Sequence, residues 1–362
     1  MIRSRVASAS ADAIVVGAGI CGASAAYFLA QRGVDVLVLD RAGISRGTTG
    51  RGEGNVLVCD KRPGPLRDLA LQGHGLWELL GQRFPAARVT PKGALVLDHP
   101  HGSDASTLEP AIAPGTRALL EPRDLQVDPA GTTRALLSDN RVRVRVGVDV
   151  AAIAGGTVTL STGERLGCEH VIVATGPWAR SLTGLPVEPR KGQLVALAAP
   201  PGTIVHKLID YAYIDAVEDT GEGLAIATVI EQTLDGDEIL VGSSRERVGF
   251  DDTVNPDVSR AMIDRAAAFV PVVRELPLRR AWCGWRPWLP DQRPAVGPLA
   301  PGVWASAGHE GSGVCLGPIS GLLLAQLICG ESPVADPAPF DPRRFDGRSA
   351  PGASAAGSAT AT

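Results

Sequence analysis

Residues 13–40 read AIVVGAGICGASAAYFLAQRGVDVLVLD. Ala13 to Val16 is a short apolar run, enough for one buried strand. Gly17-x-Gly19-x-x-Gly22 follows as a tight turn into a helix, which the pattern predicts from Ala23 to Gln31 with Gly33 as its stop. Val34 to Leu39 predicts a second strand, ending on Asp40 eighteen residues after Gly22. Each piece has a physical task. Gly17 permits the turn, Gly19 lets backbone approach a pyrophosphate, and Gly22 lets helix and strand pack closely. Unpaired N–H groups and the positive dipole end of the helix face the phosphates. Asp40 is placed to accept hydrogen bonds from an adenosine ribose. A glycine triplet alone is a weak signal, whereas strand, helix, strand and terminal acid in this order specify a dinucleotide-binding βαβ unit.

The rest of the composition bounds the partners. With 362 residues there is room for two domains, and 44% apolar content with a net charge of −4 describes an ordinary soluble protein. No basic excess points to nucleic acid or an anionic membrane surface. Arginine outnumbers lysine 31 to 4, which reads as a bacterial, GC-rich coding bias. Residues 1–12 lack the apolar core of a signal peptide, and no eighteen-residue apolar run predicts a membrane span. The six cysteines (21, 59, 168, 283, 315 and 329) are scattered without CxxC or zinc spacing, as expected of reduced thiols in a cytoplasm. Residues 347–362, GRSAPGASAAGSATAT, cannot bury enough surface to order and read as a disordered tail.

Outward from the βαβ unit, Ser45 to Asn55 carries Gly47, Thr48, Thr49, Gly50, Gly52, Glu53 and Gly54, an irregular backbone held close to something. Directly after the ribose-binding strand, its hydroxyls and N–H groups suit a second contact with phosphates or a flavin ring. Leu66 to Leu80 predicts an amphipathic helix, Ala94 to Leu97 a strand, and Asp128 to Leu137 a short helix. Val142 to Val150 predicts a return to a sheet. Val158 to Leu160, a turn at Gly163 and Val171 to Ala174 complete a β-meander and a central strand. That strand ends in Thr175-Gly176-Pro177-Trp178. Tyr211 and Tyr213 fall in a strand-like segment, and Val314 to Ile328 predicts a helix despite Pro318 and Gly321.

Downstream motifs carry a resemblance. They are Pro189-Arg190-Lys191-Gly192-Gln193, Ile239 to Glu246 (ILVGSSRE), Gly284-Trp285-Arg286-Pro287, Pro290-Asp291, Pro294-x-x-Gly297 and Gly308-His309-Glu310-Gly311-x-Gly313. With the N-terminal unit, over about residues 13–330, the chain resembles the D-amino-acid oxidase, glycine oxidase and sarcosine oxidase superfamily. The GTTGRGEGN and GSSRERVGFD stretches are closest in pattern to flavin subunits of opine and D-hydroxyproline dehydrogenases. The resemblance implies an α/β fold: a discontinuous FAD-binding Rossmann-like domain (11–80, 140–180 and 290–335) and a mixed β-sheet substrate domain (81–139 and 181–289). It implies FAD contacts from Gly17, Gly19, Ile20, Cys21, Gly22, Asp40 and Arg41, then from Gly47, Thr48, Thr49, Gly52, Glu53, Gly54 and Asn55. Further contacts are expected from Val150, Thr175, Gly176 and Trp178, and from Gly308, Glu310, Gly311, Ser312, Gly313 and Val314.

The implied chemistry is oxidation of the C–N bond of an amino or imino acid, with a hydride passing from the amine-bearing carbon to flavin. Arg286 is expected to grip the substrate carboxylate, since its fork matches a carboxylate as lysine cannot; a structural pairing with Asp291 in a Trp-rich core is the alternative. His309 could add positive charge near the flavin or move a proton, and Tyr213 could line the substrate site or pack in the core. Lys191 fits a recurrent basic position or a structural one. Some sarcosine-oxidase relatives hold flavin through a cysteine whose counterpart here is Gly284, one residue from Cys283. A one-residue offset on a strand reverses the face, so FAD is expected to bind non-covalently. The electron acceptor is O2 or a partner subunit, and oligomers are possible. Three alternatives remain open: a subunit of a dehydrogenase complex, a biosynthetic tailoring amine oxidase, or a non-catalytic nucleotide-binding protein that kept the fold.

Overall fold

The computed structural model describes residues 11–218, 221 and 223–346; the tail expected at 347–362 lies outside them. The opening unit is a strand β1 (Ala13–Val16), a helix α1 (Ile20–Ala30) and a strand β2 (Val36–Asp40). The helix starts three residues earlier than its apolar pattern predicts, because Ile20 already turns into the core. β1 lies at the centre of a six-stranded sheet. On one side it pairs in parallel with β2, which pairs with Val142–Val146. On the other it pairs with His170–Val173, followed by Val303–Ala307 and the antiparallel edge Ala295–Ala300.

A mostly parallel sheet needs cover on both faces, and alternation along the strands provides it. Ala13, Val15, Val36 and Val38 face α1 and the long helix Gly313–Ile328. Ile14, Val16, Leu37 and Leu39 face Val150, Val158, Leu160 and Leu166 of a three-stranded antiparallel meander. The expected strand from Val142 to Val150 therefore divides: Val142–Val146 joins the parallel sheet, and Val150–Ala154 begins the meander. The helix Pro129–Leu136, capped by Asp128 accepting the Gly131 N–H at 2.8 Å, packs on α1.

A second, eight-stranded sheet runs Leu278–Trp288, Glu188–Ala198, Glu238–Arg245, Ala225–Gln232, Lys207–Asp210, Ala94–Leu97, Arg117–Glu121 and Ser103–Asp104. It is antiparallel except for the Lys207–Asp210 and Ala94–Leu97 pair. The helix Pro256–Phe269 covers one face. The segment with Tyr211 and Tyr213 departs from expectation. The strand ends at Asp210, whose side chain accepts the Ala212 N–H at 3.0 Å, and Ala212–Glu218 is a helix.

The helix Gly313–Ile328 with the turn before it, Glu310–Ile328, is, among the described residues, the one helical stretch long and apolar enough to cross a membrane by length and composition, and it is a core helix packed between α1 and Pro65–Arg83. Its Gly321 has a packing reason: a Cβ there would lie 2.6 Å from the backbone carbon of Ser24 in α1. Neither partner can yield cheaply. Gly321→Ala is expected to cost about 2 kcal/mol by overpacking and to lower the thermal midpoint by several degrees, read by circular dichroism; an unchanged midpoint would mean the helices do not cross this closely.

Candidate active site

A cavity of about 670 Å³ opens at the carboxyl ends of the parallel strands and extends to the second sheet. This is where open α/β sheets place ligands. Gly17, at φ 114°, leaves β1 so close to the neighbouring strand end that a Cβ would lie 2.4 Å from the Ala174 oxygen. Gly22 meets the Gly17 oxygen in the same way, at 1.9 Å, so it packs beneath the turn and does not line the cavity. α1 begins at Gly19 without a side-chain cap of its own, and Gly19, Ile20 and Cys21 face the opening. Asp40 braces the same region: its carboxylate accepts N–H groups from Ala18, Ala42 and Gly43 at 2.7–2.8 Å.

The second glycine loop is fixed between the two sheets. Thr49 accepts the Ile20 N–H at 3.1 Å, Thr48 donates to the Trp285 carbonyl at 2.6 Å, and Arg51 donates to the Cys283 carbonyl at 2.7 Å. Trp282 returns a hydrogen bond to the Arg51 carbonyl at 3.0 Å. Gly47, Thr48, Thr49 and Gly52 consequently line the cavity, but Glu53, Gly54 and Asn55 do not. Lys207 takes the two polar ones: its buried ammonium lies 3.4 Å from Glu53, 2.8 Å from Glu231 and in hydrogen-bond contact with Asn55. A buried ammonium needs this compensation. Gly54 packs under the Val127 oxygen.

Val150, Thr175, Gly176 and Trp178 line the cavity as expected. The Trp178 ring stacks on Phe250 at 5.3 Å, meets Trp285 edge-on at 6.0 Å and carries the Arg41 guanidinium at 4.1 Å. Phe250 was not legible as a site residue. It lies in the GSSRERVGFD stretch, but nothing in that pattern says that its ring packs on Trp178.

Arg286 lines the cavity, with Nη1 donating to the Ser244 carbonyl at 2.9 Å. It lies over Gly192, where any Cβ would be 2.1 Å from that nitrogen. The expected alternative partner, Asp291, is taken by Arg344 at 2.6 Å and Arg293 at 3.3 Å. The acid near Arg286 is Glu310, whose Oε1 lies 3.9 Å from its Nε. Burial raises the Glu310 carboxyl, but Arg245, Arg286 and Arg190 outweigh it and hold the group below the usual range. Burial and then the Arg245 charge pull Arg286 down from its ordinary value.

Of the other two expected catalytic residues, His309 lines the cavity and Tyr213 does not. His309 is buried, with Nε2 3.1 Å from Ser320 Oγ and Nδ1 3.6 Å from Cys21 Sγ. Burial lowers its pKa to about 4, which favours the neutral imidazole near pH 7. Tyr213 is on the helix, not a strand, and its ring lies under the Arg245 guanidinium at 4.5 Å, outside the cavity lining. Gly308, Glu310, Gly311, Gly313 and Val314 line the cavity. Ser312 instead faces a second cavity of about 410 Å³ on the other side of the turn, which Glu310 also lines. Cys283 points away, its thiol 3.5 Å from the Thr253 carbonyl, while Gly284 faces the cavity. Lys191 is buried and tied to Asp251 at 2.6 Å.

The profile of the FAD dependent oxidoreductases matches residues 12–327. The chain belongs to this family. It is 26% identical to the bifunctional protein ThiO/ThiG of a Nostoc species over 88% of its length, and spans about half the length of that relative. Against the hydrogen cyanide synthase subunit HcnC of Pseudomonas protegens it is 27% identical, covering 91% of this chain and 95% of that one. The glycine oxidase structure from Geobacillus kaustophilus superposes with a TM-score of 0.81 at 25% identity, covering 93% of this chain and 99% of the other. FAD is therefore the cofactor, and the residues present fit it. The cavity has the size of a cofactor site, a glycine turn leaves backbone exposed where side chains would close it, and the first turn of α1 offers N–H groups to a pyrophosphate.

The His309 pKa has a sign that can be checked. Folding depresses it from 6.5 to about 4, so its contribution is present above pH 6.5 and is lost as pH falls towards 4, about 3 kcal/mol in all. His309→Gln keeps a partner for Ser320 but cannot titrate. Urea midpoints at pH 7 and pH 4.5 are expected to differ less in the variant than in the wild type; equal differences would mean the imidazole is already protonated in the native state.

Proposed function

We propose that this chain oxidises the C–N bond of an amino or imino acid, using non-covalently bound FAD. The observation that carries the reading is Arg286, a guanidinium held over Gly192 in the wall of the cavity. Names of relatives such as glycine oxidase and iminodiacetate oxidase point the same way. The flavin, when bound, accepts the hydrogen and electron pair leaving the amine-bearing carbon.

The chain's own groups have the remaining tasks. Arg286 anchors the carboxylate and so fixes the α-carbon and nitrogen relative to the Gly308–Gly311 turn. Holding the reacting atoms in register supplies much of the rate in such chemistry. Gly47 to Gly52 form the wall between the sheets, and the Trp178, Phe250 and Trp285 cluster shields its outer side from water. As the C=N bond forms the nitrogen gives up its proton to solvent or to a neutral group; His309, bonded to Ser320, lines the cavity between α1 and the long helix. Hydrolysis of the imine then yields a carbonyl product and an amine. A secondary or cyclic amine is favoured over a primary D-amino acid, on the GTTGRGEGN and GSSRERVGFD patterns. Six unpaired cysteines suit a reducing compartment such as the cytoplasm.

Anaerobic mixing of the purified yellow protein with D-, L- and cyclic imino acids tests the reading. Loss of flavin absorbance with at least one of them is the expected result, and a protein that stays oxidised through the whole panel refutes it. On readmitting air, fast recolouring with peroxide identifies an oxidase, and slow recolouring a dehydrogenase that passes electrons to a partner subunit.

Arg286→Lys is expected to raise KM for the active substrate by roughly 100-fold, the worth of a lost bidentate charge-assisted pair. Gly192→Ala should do the same with the charge intact, because its methyl group occupies the guanidinium's place. An unchanged KM in Arg286→Lys would mean that this guanidinium does not anchor the carboxylate, and an unchanged KM in Gly192→Ala that its place over Gly192 is not what the anchor depends on.

A further inference from the structure

Glu310 is held in an unusual way. At φ 46° it is a non-glycine residue in the left-handed region, in the turn that faces the cavity. Such conformations persist where the surroundings over-determine them, and they cluster at functional sites. One carboxylate oxygen accepts the Gly311 N–H. The other, Oε1, is buried without a hydrogen-bond partner among the described residues. It lies 3.6 Å from Arg245 Nε, 3.9 Å from Arg286 Nε and 3.7 Å from Arg190 Nη1, so it is surrounded by guanidinium groups and bonded to none.

Arg245 is the counterpart of this loose fit. It is 1% exposed and lines neither cavity, standing behind Glu310, and its Nε and Nη2 lack hydrogen-bond partners among the described residues. Its Nη1 reaches Ser243 Oγ at 3.1 Å and its face rests on Tyr213. A buried guanidinium normally saturates its donors, in bidentate pairs where a carboxylate is available. Here Arg245 and Arg286 share one acid oxygen at more than hydrogen-bond distance. Glu310 also lines both cavities, so there is space on its other side to receive the side chain if it turns, in a cavity lined by Lys61, Arg62 and Arg293 and by the acids Asp60 and Asp291.

We propose that Arg245 and Arg286 form one two-arginine seat for the substrate carboxylate, and that Glu310 partly occupies this seat until the substrate displaces it. Arg245 is then a second carboxylate-binding residue, and Glu310 sets the affinity threshold by competing for the same donors. The inference rests on the amino-acid reading of the site, since it assigns the carboxylate end of that substrate. The exchange is one of hydrogen bonds only; no covalent bond is made or broken.

The test uses the FAD-loaded protein and propionate, a carboxylate without an amine, so that binding is read without turnover. Calorimetry and perturbation of the flavin spectrum give Kd. Glu310→Gln, which keeps the shape and removes the charge, is expected to tighten propionate about 10-fold, or about 1.4 kcal/mol. Arg245→Gln is expected to weaken it about 10-fold or more. Unchanged or weaker binding in Glu310→Gln, with flavin content intact, overturns the proposal; so does unchanged binding in Arg245→Gln. If these variants fail to hold FAD, a crystal structure of the wild-type protein with propionate decides: a carboxylate bonded to both arginines with Glu310 turned towards the second cavity is expected, and Glu310 still among the arginines overturns it. Should propionate behave as expected while no amino acid bleaches the flavin, the seat stands and the amine chemistry fails. The reverse pattern leaves the chemistry and removes the seat.

Discussion

The most expensive feature of this protein is the burial of guanidinium groups where its two sheets meet. Arg190, Arg245 and Arg286 come from three adjacent strands, and Arg190 and Arg286 are directly opposed across one antiparallel pair. Like charges so placed repel, and desolvating them costs several kcal/mol each unless partners repay it. The fold meets that cost by geometry. Gly192 clears the space in which Arg286 lies flat against the sheet, the Ser244 carbonyl fixes its head, and Glu310 is brought in from the other sheet's side by a left-handed turn. Such an arrangement contributes little to stability. It makes sense as a site that is completed by an anion.

The rest of the molecule holds that place in register. Backbone contacts at Gly17 and Gly22 set α1 against the strands, and α1 in turn seats the long helix, which follows directly on the turn that carries Glu310. The loop from Thr48 to Arg51 ties this assembly to the second sheet through hydrogen bonds to the Trp285 and Cys283 carbonyls, the residues that flank Gly284. One short loop thus couples the nucleotide end of the cavity to the strand that bears Arg286. His309 belongs to the same framework: buried between Cys21 and Ser320, its imidazole joins α1 to the long helix and stays neutral.

Much of this was legible in the sequence, for identifiable reasons. The βαβ unit depends on local turn chemistry and on an apolar period, so Gly17 to Asp40 could be read directly. Arg286 and the Gly308–Gly313 segment could be read from motif order. Pairings made across the fold were hidden. That Glu53 and Asn55 turn to Lys207 depends on a lysine more than 150 residues away. The charge state of His309 depends on how deeply two helices bury it, and nothing in the GHEGSG segment encodes that. Tyr213 was misplaced because the apolar residues before it continue a strand-like pattern past the turn that Asp210 makes. Phe250 joins the site only through the packing of Trp178 and Trp285.

The central claim is that hydrogen leaves the amine-bearing carbon directly for the cofactor while Arg286 holds the carboxylate. The most direct measurement is single-turnover flavin reduction, under anaerobic stopped flow, with a substrate carrying hydrogen or deuterium at that carbon. The account predicts a several-fold slower reduction for the deuterated form with an unchanged dissociation constant. Equal rates for the two forms would contradict it, because the step that reduces the flavin would then not break that bond.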